Sequence, residues 1–203
     1  MSLQEEIIGN SIKELMQEYD ENECSYLTEN DVICKLYSIL TRNCNPKEFR
    51  IHSELRPFYE SVENQLVITE EKGGKIGWYK QQTAKSGFRV DLSLINPKTK
   101  FFEALEKAKK DQHARSGELK YWRMLSYPVE AFHAIIEVKI KVYRNKTIDK
   151  DIEKLVMIRD KNKDCQLYLI ILDRKSNPDI LKIYKKKAEN HNIKYYTFPN
   201  VDC

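Results

Sequence analysis

Apolar residues keep a helical spacing over the first forty positions of the chain. Leu3, Ile7, Ile8, Ile12, Leu15 and Met16 recur at intervals of three and four, which predicts an amphipathic helix over residues 2–19. The polar stretch DENECSYLTEN interrupts the pattern. Thr28 suits the N-cap of a second helix, with Glu29 and Asp31 in the first turn where the helix dipole favours carboxylates. The apolar stripe of that helix is Val32, Ile33, Leu36, Ile39 and Leu40, and it should end near Arg42–Asn45.

From about residue 50 the period shortens. Phe49–Leu55 and Gln65–Thr69 read as extended, GGKIGWY as a turn opening into a strand, and Phe88–Ile95 as a strand stopped by Asn96-Pro97. Residues 99–125 return to a helical pattern, strongly basic around Lys107–Arg115 and broken near Gly117. Ala131–Tyr143 is an amphipathic strand, and residues 148–160 are a charged helix. The apolar run Gln166–Leu172 suits a strand buried on both faces. Asn177-Pro178 supplies an N-cap with proline at the first helical position, opening a helix to about Asn190, and Ile193–Phe198 closes as a strand. Helices first, then antiparallel strands, then strand–helix–strand–helix–strand predict an α/β domain. Its central mixed sheet is flanked by helices, and its last portion is built of right-handed crossovers.

Composition narrows the class. No apolar run approaches the ~20 residues of a membrane span. The N-terminal segment is acidic and amphipathic, unlike a signal or transit peptide, so a cytoplasmic location with reduced thiols is expected. The cysteines at 24, 34, 44, 165 and 203 are odd in number, widely spaced and without a C-x-x-C pair, which argues against a disulfide framework or a zinc site. Net charge is only +4, but it is unevenly placed. Residues 1–71 hold 6 basic and 15 acidic side chains, a net of −9, while residues 72–140 and 141–203 carry +7 and +6. A basic body behind an acidic leader favours a polyanionic partner, although lysine-rich solvation alone produces the same bias.

The candidate chemistry lies in the strand around residue 137. Ile136, Val138, Ile140 and Val142 share one face, and Glu137, Lys139 and Lys141 share the other with Ile135. A carboxylate and an ammonium two residues apart therefore point the same way, roughly 6–7 Å apart along the strand. An isolated Glu-x-Lys is also what the wet face of a half-exposed strand presents. Asp91 adds weight, because it lies in the hydrophobic strand FRVDLSLI with Val90, Leu92 and Leu94 on the opposite face. A carboxylate is costly to bury there unless something neutralises it, and a hard divalent cation such as Mg²⁺ can do so. Lys139 beside such a cation is placed to orient or deprotonate an attacking water in hydrolysis of a phosphodiester.

Asp91 together with Glu137-Val138-Lys139 resembles the D…(D/E)-x-K signature of the PD-(D/E)XK nucleases. The order of elements over about residues 29–198 is similar to that family's common core. The resemblance implies a restriction-endonuclease-like fold behind an N-terminal helical leader. It implies Asp91 and Glu137 as ligands of Mg²⁺, with Mn²⁺ as a substitute, and Lys139 as the residue that assists the water. It also implies DNA as substrate and a homodimer for cutting both strands. The family often adds an acidic residue from its first helix, for which Glu29 and Glu54 are the candidates. Glu29 lies on the core-facing side with Val32, Ile33 and Leu36, but also suits a plain dipole partner. Glu54 shares a strand face with His52, but is also placed to pair with Arg56. Two departures stand out: Val90 replaces the proline before the aspartate, and Glu137 comes 46 positions after Asp91.

The expected organisation is one nuclease-like domain over 1–203. It comprises a helical leader (1–45), first strands (46–98), a basic helical insertion (99–125) and a β-α-β-α-β half (126–203). GGKIG at 73–77 lacks the spacing of a phosphate-binding loop. Lys185–Lys187, with Lys80, Lys85 and Arg89, offers a basic surface able to track a phosphate backbone. The rival readings are a catalytically inactive module of the same fold that binds nucleic acid or a protein, and an α/β interaction protein without metal chemistry.

Overall fold

The computed structural model describes residues 3–22, 26–58, 90–98, 126–140 and 145–198; the side chains of 54–58, 126–128, 145 and 146 lie outside that description. The predicted turn and strand over GGKIGWY, the segment Gln65–Thr69, the basic insertion at 99–125, Lys141 and Val142 also lie outside it, as do Lys80, Lys85 and Arg89.

Helix α1 spans Leu3–Glu21 and buries Ile8, Ile12 and Leu15 of the predicted stripe together with Tyr19, while Leu3 at its start is exposed. Helix α2 spans Glu29–Asn43 and buries Val32, Ile33, Leu36, Ile39 and Leu40. Its start is fixed by a capping box: the Asp31 amide donates to Thr28 Oγ1 at 3.3 Å and the Thr28 amide donates to Asp31 Oδ2 at 2.7 Å. Two of the orphan donors at a helix N-terminus are thereby satisfied. The first two helices are tied together by ion pairs from Lys35 to Glu18 at 2.6 Å and from Arg42 to Glu14.

Strands β1 (Arg50–Phe58), β2 (Val90–Ile95), β3 (Ser126–Pro128) and β4 (Phe132–Ile140) follow, with a short 3₁₀ turn over Val129–Ala131 before β4. Helix α3 (Asn145–Lys161), β5 (Gln166–Leu172), helix α4 (Pro178–Asn190) and β6 (Lys194–Phe198) complete the chain. The sheet order is β3-β1-β2-β4-β5-β6. Pairings β1–β2 and β2–β4 are antiparallel, whereas β1–β3, β4–β5 and β5–β6 are parallel. The protein is therefore α/β with a mixed sheet, and β5, parallel on both sides, is buried over six of its seven residues.

Helices cover both faces. On one, α1 and α2 pack over Leu92, Leu94, Ala134, Ile136, Val138, Tyr168, Ile170 and Leu172. On the other, Ile148, Ile152, Leu155 and Ile158 of α3 and Leu181, Tyr184 and Ala188 of α4 pack over Ile135, Leu167, Leu169 and Ile171. Each fully buried aliphatic chain contributes about 1.5–3 kcal/mol, so the two clusters dominate the stability of the fold. Val90 belongs to the α3/α4 side, not to the side of Leu92 and Leu94 as strict alternation predicts. It is the first residue of β2; the pairing of β2 with β4 shifts register at the other end of the strand, between Leu94 and Ile95.

Two close fits hold the helices to the sheet. The Asn162 side-chain amide donates to Val129 O at 2.9 Å and Phe132 O at 2.8 Å, clamping the end of α3 to the start of β4. In α1, the Tyr196 hydroxyl lies 3.3 Å from where a Cβ on Gly9 would stand. Among the described residues no helix is long and apolar enough to cross a membrane, and Cys34, Cys44 and Cys165 are free thiols.

Candidate active site at the end of the central strand

The register of β4 brings the predicted residues together. Leu92 pairs with Ile136, so the next position on β2, that of Asp91, faces the position of Glu137. Asp91 Oδ2 accepts the Val138 backbone N–H at 2.8 Å, which pins its carboxylate across the gap between strands. Ser53 pairs with Leu92 and Leu55 with Val90, so position 54 falls opposite position 91 on the other side. Glu54 thus stands in line with Asp91 and Glu137 by backbone register; its side chain lies outside the described residues.

Glu137 is 0% exposed. Its Oε1 accepts from Lys154 Nζ at 3.1 Å, and its buried Oε2 has no hydrogen-bond partner among the described residues. Burial pushes its carboxyl well above the usual glutamate range, Asp91 pushes the same way, and Lys154 pulls back. Lys139, 14% exposed at the side chain, donates to Val138 O at 2.8 Å and Glu29 Oε1 at 3.0 Å. It also lies 3.4 Å from Asp151 Oδ2 and 3.7 Å from Asp91 Oδ2. Burial alone would lower its pKa, but Asp91, Asp151, Glu29 and Glu137 together outweigh that and raise it. In this arrangement Lys139 is an ammonium held by carboxylates and not a free base.

Glu29 reaches this cluster because the capping box fixes the first turn of α2 beside the end of β4. Burial raises its pKa, and Lys139 opposes that shift. Of the two second-tier candidates, Glu29 makes a described contact with the site. Asp31, in the same first turn, is spent on the cap itself.

Two residues of the cluster were not read from the sequence. Asp151 and Lys154 lie one turn apart on α3, joined at 2.7 Å, and their side chains are 8% and 18% exposed. The signal for Asp151 was present: it lies three residues after Ile148 and four before Leu155, inside the apolar stripe of its helix. The argument that singles out Asp91, a carboxylate on a buried face, applies to it equally.

The donor set is oxygen-rich and hard, and Oε2 of Glu137 is buried with no described partner; both suit Mg²⁺ better than a softer metal. As the side chains stand, the carboxylates converge on an ammonium. Among the described residues no group of three or more His, Cys, Asp or Glu side chains is disposed to hold a metal ion. Comparison with protein-family models, with curated proteins and with solved structures finds no significant match to this chain.

Proposed function

We propose that the protein is a Mg²⁺-dependent endonuclease of the PD-(D/E)XK kind, hydrolysing DNA phosphodiester bonds in a restriction-, defence- or repair-like role. The observation that carries the reading is the convergence of Glu29, Asp91, Glu137 and Lys139, from three separate elements, on one end of β4. Supporting the restriction-endonuclease-like fold is the order α2-β1-β2-β4-α3-β5-α4-β6, with antiparallel strands first and two parallel crossovers after. The basic charge of residues 72–203 suits a DNA partner. The proposal places the protein in the cytoplasm, acting as a homodimer.

In this mechanism Asp91 and Glu137 would hold Mg²⁺, with Mn²⁺ as a substitute. When bound, the ion supplies Lewis-acid charge to the scissile phosphate. The reaction is in-line: water forms one P–O bond as the opposite P–O ester bond breaks, its proton leaves to solvent or a nearby oxygen, and the departing ester oxygen takes up a proton from solvent to leave as an alcohol. Lys139, carried as an ammonium, orients the water and offsets charge developing on the phosphoryl oxygens. Glu29 holds that ammonium at the strand end and keeps it from swinging into solvent.

The test is plasmid nicking by the full chain in Mg²⁺ or Mn²⁺. Nicking that disappears in Asp91→Ala and Lys139→Ala supports the mechanism; absence of nicking in both metals, or undiminished nicking by either variant, refutes it. One observation favours a second reading, a catalytically inactive module of this fold: the Lys139 ammonium stands among the carboxylates that the cation needs. Titration with Mn²⁺ separates the two, since the inactive module has no Asp91-dependent binding.

A further inference from the structure

Strand β4 and helix α3 each carry an acid followed by a base: Glu137 and Lys139 two residues apart on the strand, Asp151 and Lys154 three apart on the helix. The pairs are cross-matched. Lys154 Nζ reaches Glu137 Oε1 at 3.1 Å, and Asp151 Oδ2 lies 3.4 Å from Lys139 Nζ. Within the helix the two members also join each other at 2.7 Å. A surface ion pair of one turn would contribute little. This one is mostly buried, and each member meets the opposite charge on the strand.

We propose that Asp151 and Lys154 are positioning residues of this site, Lys154 fixing the carboxylate of Glu137 and Asp151 fixing the ammonium of Lys139. The inference rests on the nuclease reading above. Lys154 occupies one oxygen of Glu137 and leaves the other, Oε2, unpartnered among the described residues. A buried carboxylate with a single described donor owes its orientation to that donor. Helix α3 can impose that orientation because it is itself fixed. Ile148, Leu155 and Ile158 are fully buried against the sheet, and Asn162 clamps the helix end to the start of β4. Groups that hold a metal-binding carboxylate through a hydrogen bond act on affinity and rate without touching the substrate.

The experiment uses the full chain as wild type, Lys154→Met, Lys154→Arg and Asp151→Asn. Urea unfolding gives the folded fraction, calorimetric titration gives binding of Mn²⁺ alone, and plasmid nicking in Mg²⁺ gives kcat and KM separately. Lys154→Met is expected to weaken Mn²⁺ binding about 10–100-fold per folded molecule, with Lys154→Arg recovering part of the loss. Asp151→Asn is expected to lower kcat about tenfold or more with KM little changed. Folded variants that keep wild-type Mn²⁺ affinity and kcat overturn the proposal, as does an equal loss in Lys154→Met and Lys154→Arg, which would assign the effect to packing. Should Lys154→Met fail to fold, Asp151→Asn and Lys154→Arg carry the same readouts. A wild type that neither nicks DNA nor binds Mn²⁺ through Asp91 sinks the nuclease reading, and the positioning role with it. An active wild type with unchanged variants sinks the positioning role alone.

Discussion

Replacing Lys139 with methionine keeps the length of the side chain and removes its charge. The ammonium lies 3.0, 3.4 and 3.7 Å from the carboxylate oxygens of Glu29, Asp151 and Asp91. At an effective dielectric of about 20, each contact attracts by roughly 4–6 kcal/mol. Lost hydration of the ammonium, several kcal/mol, and repulsion among the carboxylates it gathers offset most of that. Breaking a buried pair from one side costs about 3–5 kcal/mol; here Asp151 keeps Lys154 and Glu29 is more than a third exposed, so the loss falls at the low end, about 3 kcal/mol. Against a domain stability of about 5–15 kcal/mol this is a large fraction. Urea unfolding followed by circular dichroism measures it. The pKa of Lys139 is raised above its usual 10.5, so the ammonium contributes in full below that value and is lost only as pH rises through the raised one. The deficit of Lys139→Met should therefore persist from neutral pH to about pH 9.5. A deficit under about 1 kcal/mol at neutral pH, or one that vanishes between neutral pH and about pH 9.5, would refute the reasoning.

Glu137→Gln should act in the opposite direction on stability. The folded pKa of Glu137 lies well above the usual 4.5, so from that pH upward the unfolded chain gives up a proton that the native state retains, and stability falls as pH rises toward the folded value. Glutamine removes that loss, and Lys154 keeps Asp151 as its partner. The variant should melt higher than wild type at neutral pH while losing metal-dependent nicking, and a lower melting temperature there would contradict the account. Thr28→Ala removes the side-chain acceptor from the α2 capping box at a cost of about 1 kcal/mol, and loosens Glu29 in the same turn. Unfolding of the double variant Thr28→Ala/Glu29→Gln should cost less than the two single losses added together, and strict additivity would show that cap and ion pair are independent.

Local rules made most of the scaffold legible. Asn177-Pro178 marked the start of α4 and the run QLYLIIL marked β5, because a capping residue, a fixed proline φ and an unbroken apolar run are local properties. The period of two placed Ile136 and Val138 on one face of β4 and Glu137 on the other. Strand β3 escaped notice because three residues, one of them proline, carry no period; its existence depends on pairing with β1. That Glu29 reaches Lys139 was equally out of reach, since it depends on where α2 begins relative to the end of β4. Lys154 is the plainest case. On its own helix it is one charge among many, and only the register of α3 against β4 puts it on Glu137.

Gly9 bears on all of this from a distance. With no side chain there, α1 sits one methyl group nearer the sheet, and even an alanine would ask the Tyr196 hydroxyl to withdraw by a few tenths of an ångström. Helix α1 is not an independent layer, because Lys35–Glu18 and Arg42–Glu14 couple it to α2, whose first residue is Glu29. Gly9 therefore works as a shim. A side chain at position 9 would have to be accommodated by Tyr196 of β6, so the seating of α1 on the last strand depends on that one residue having none.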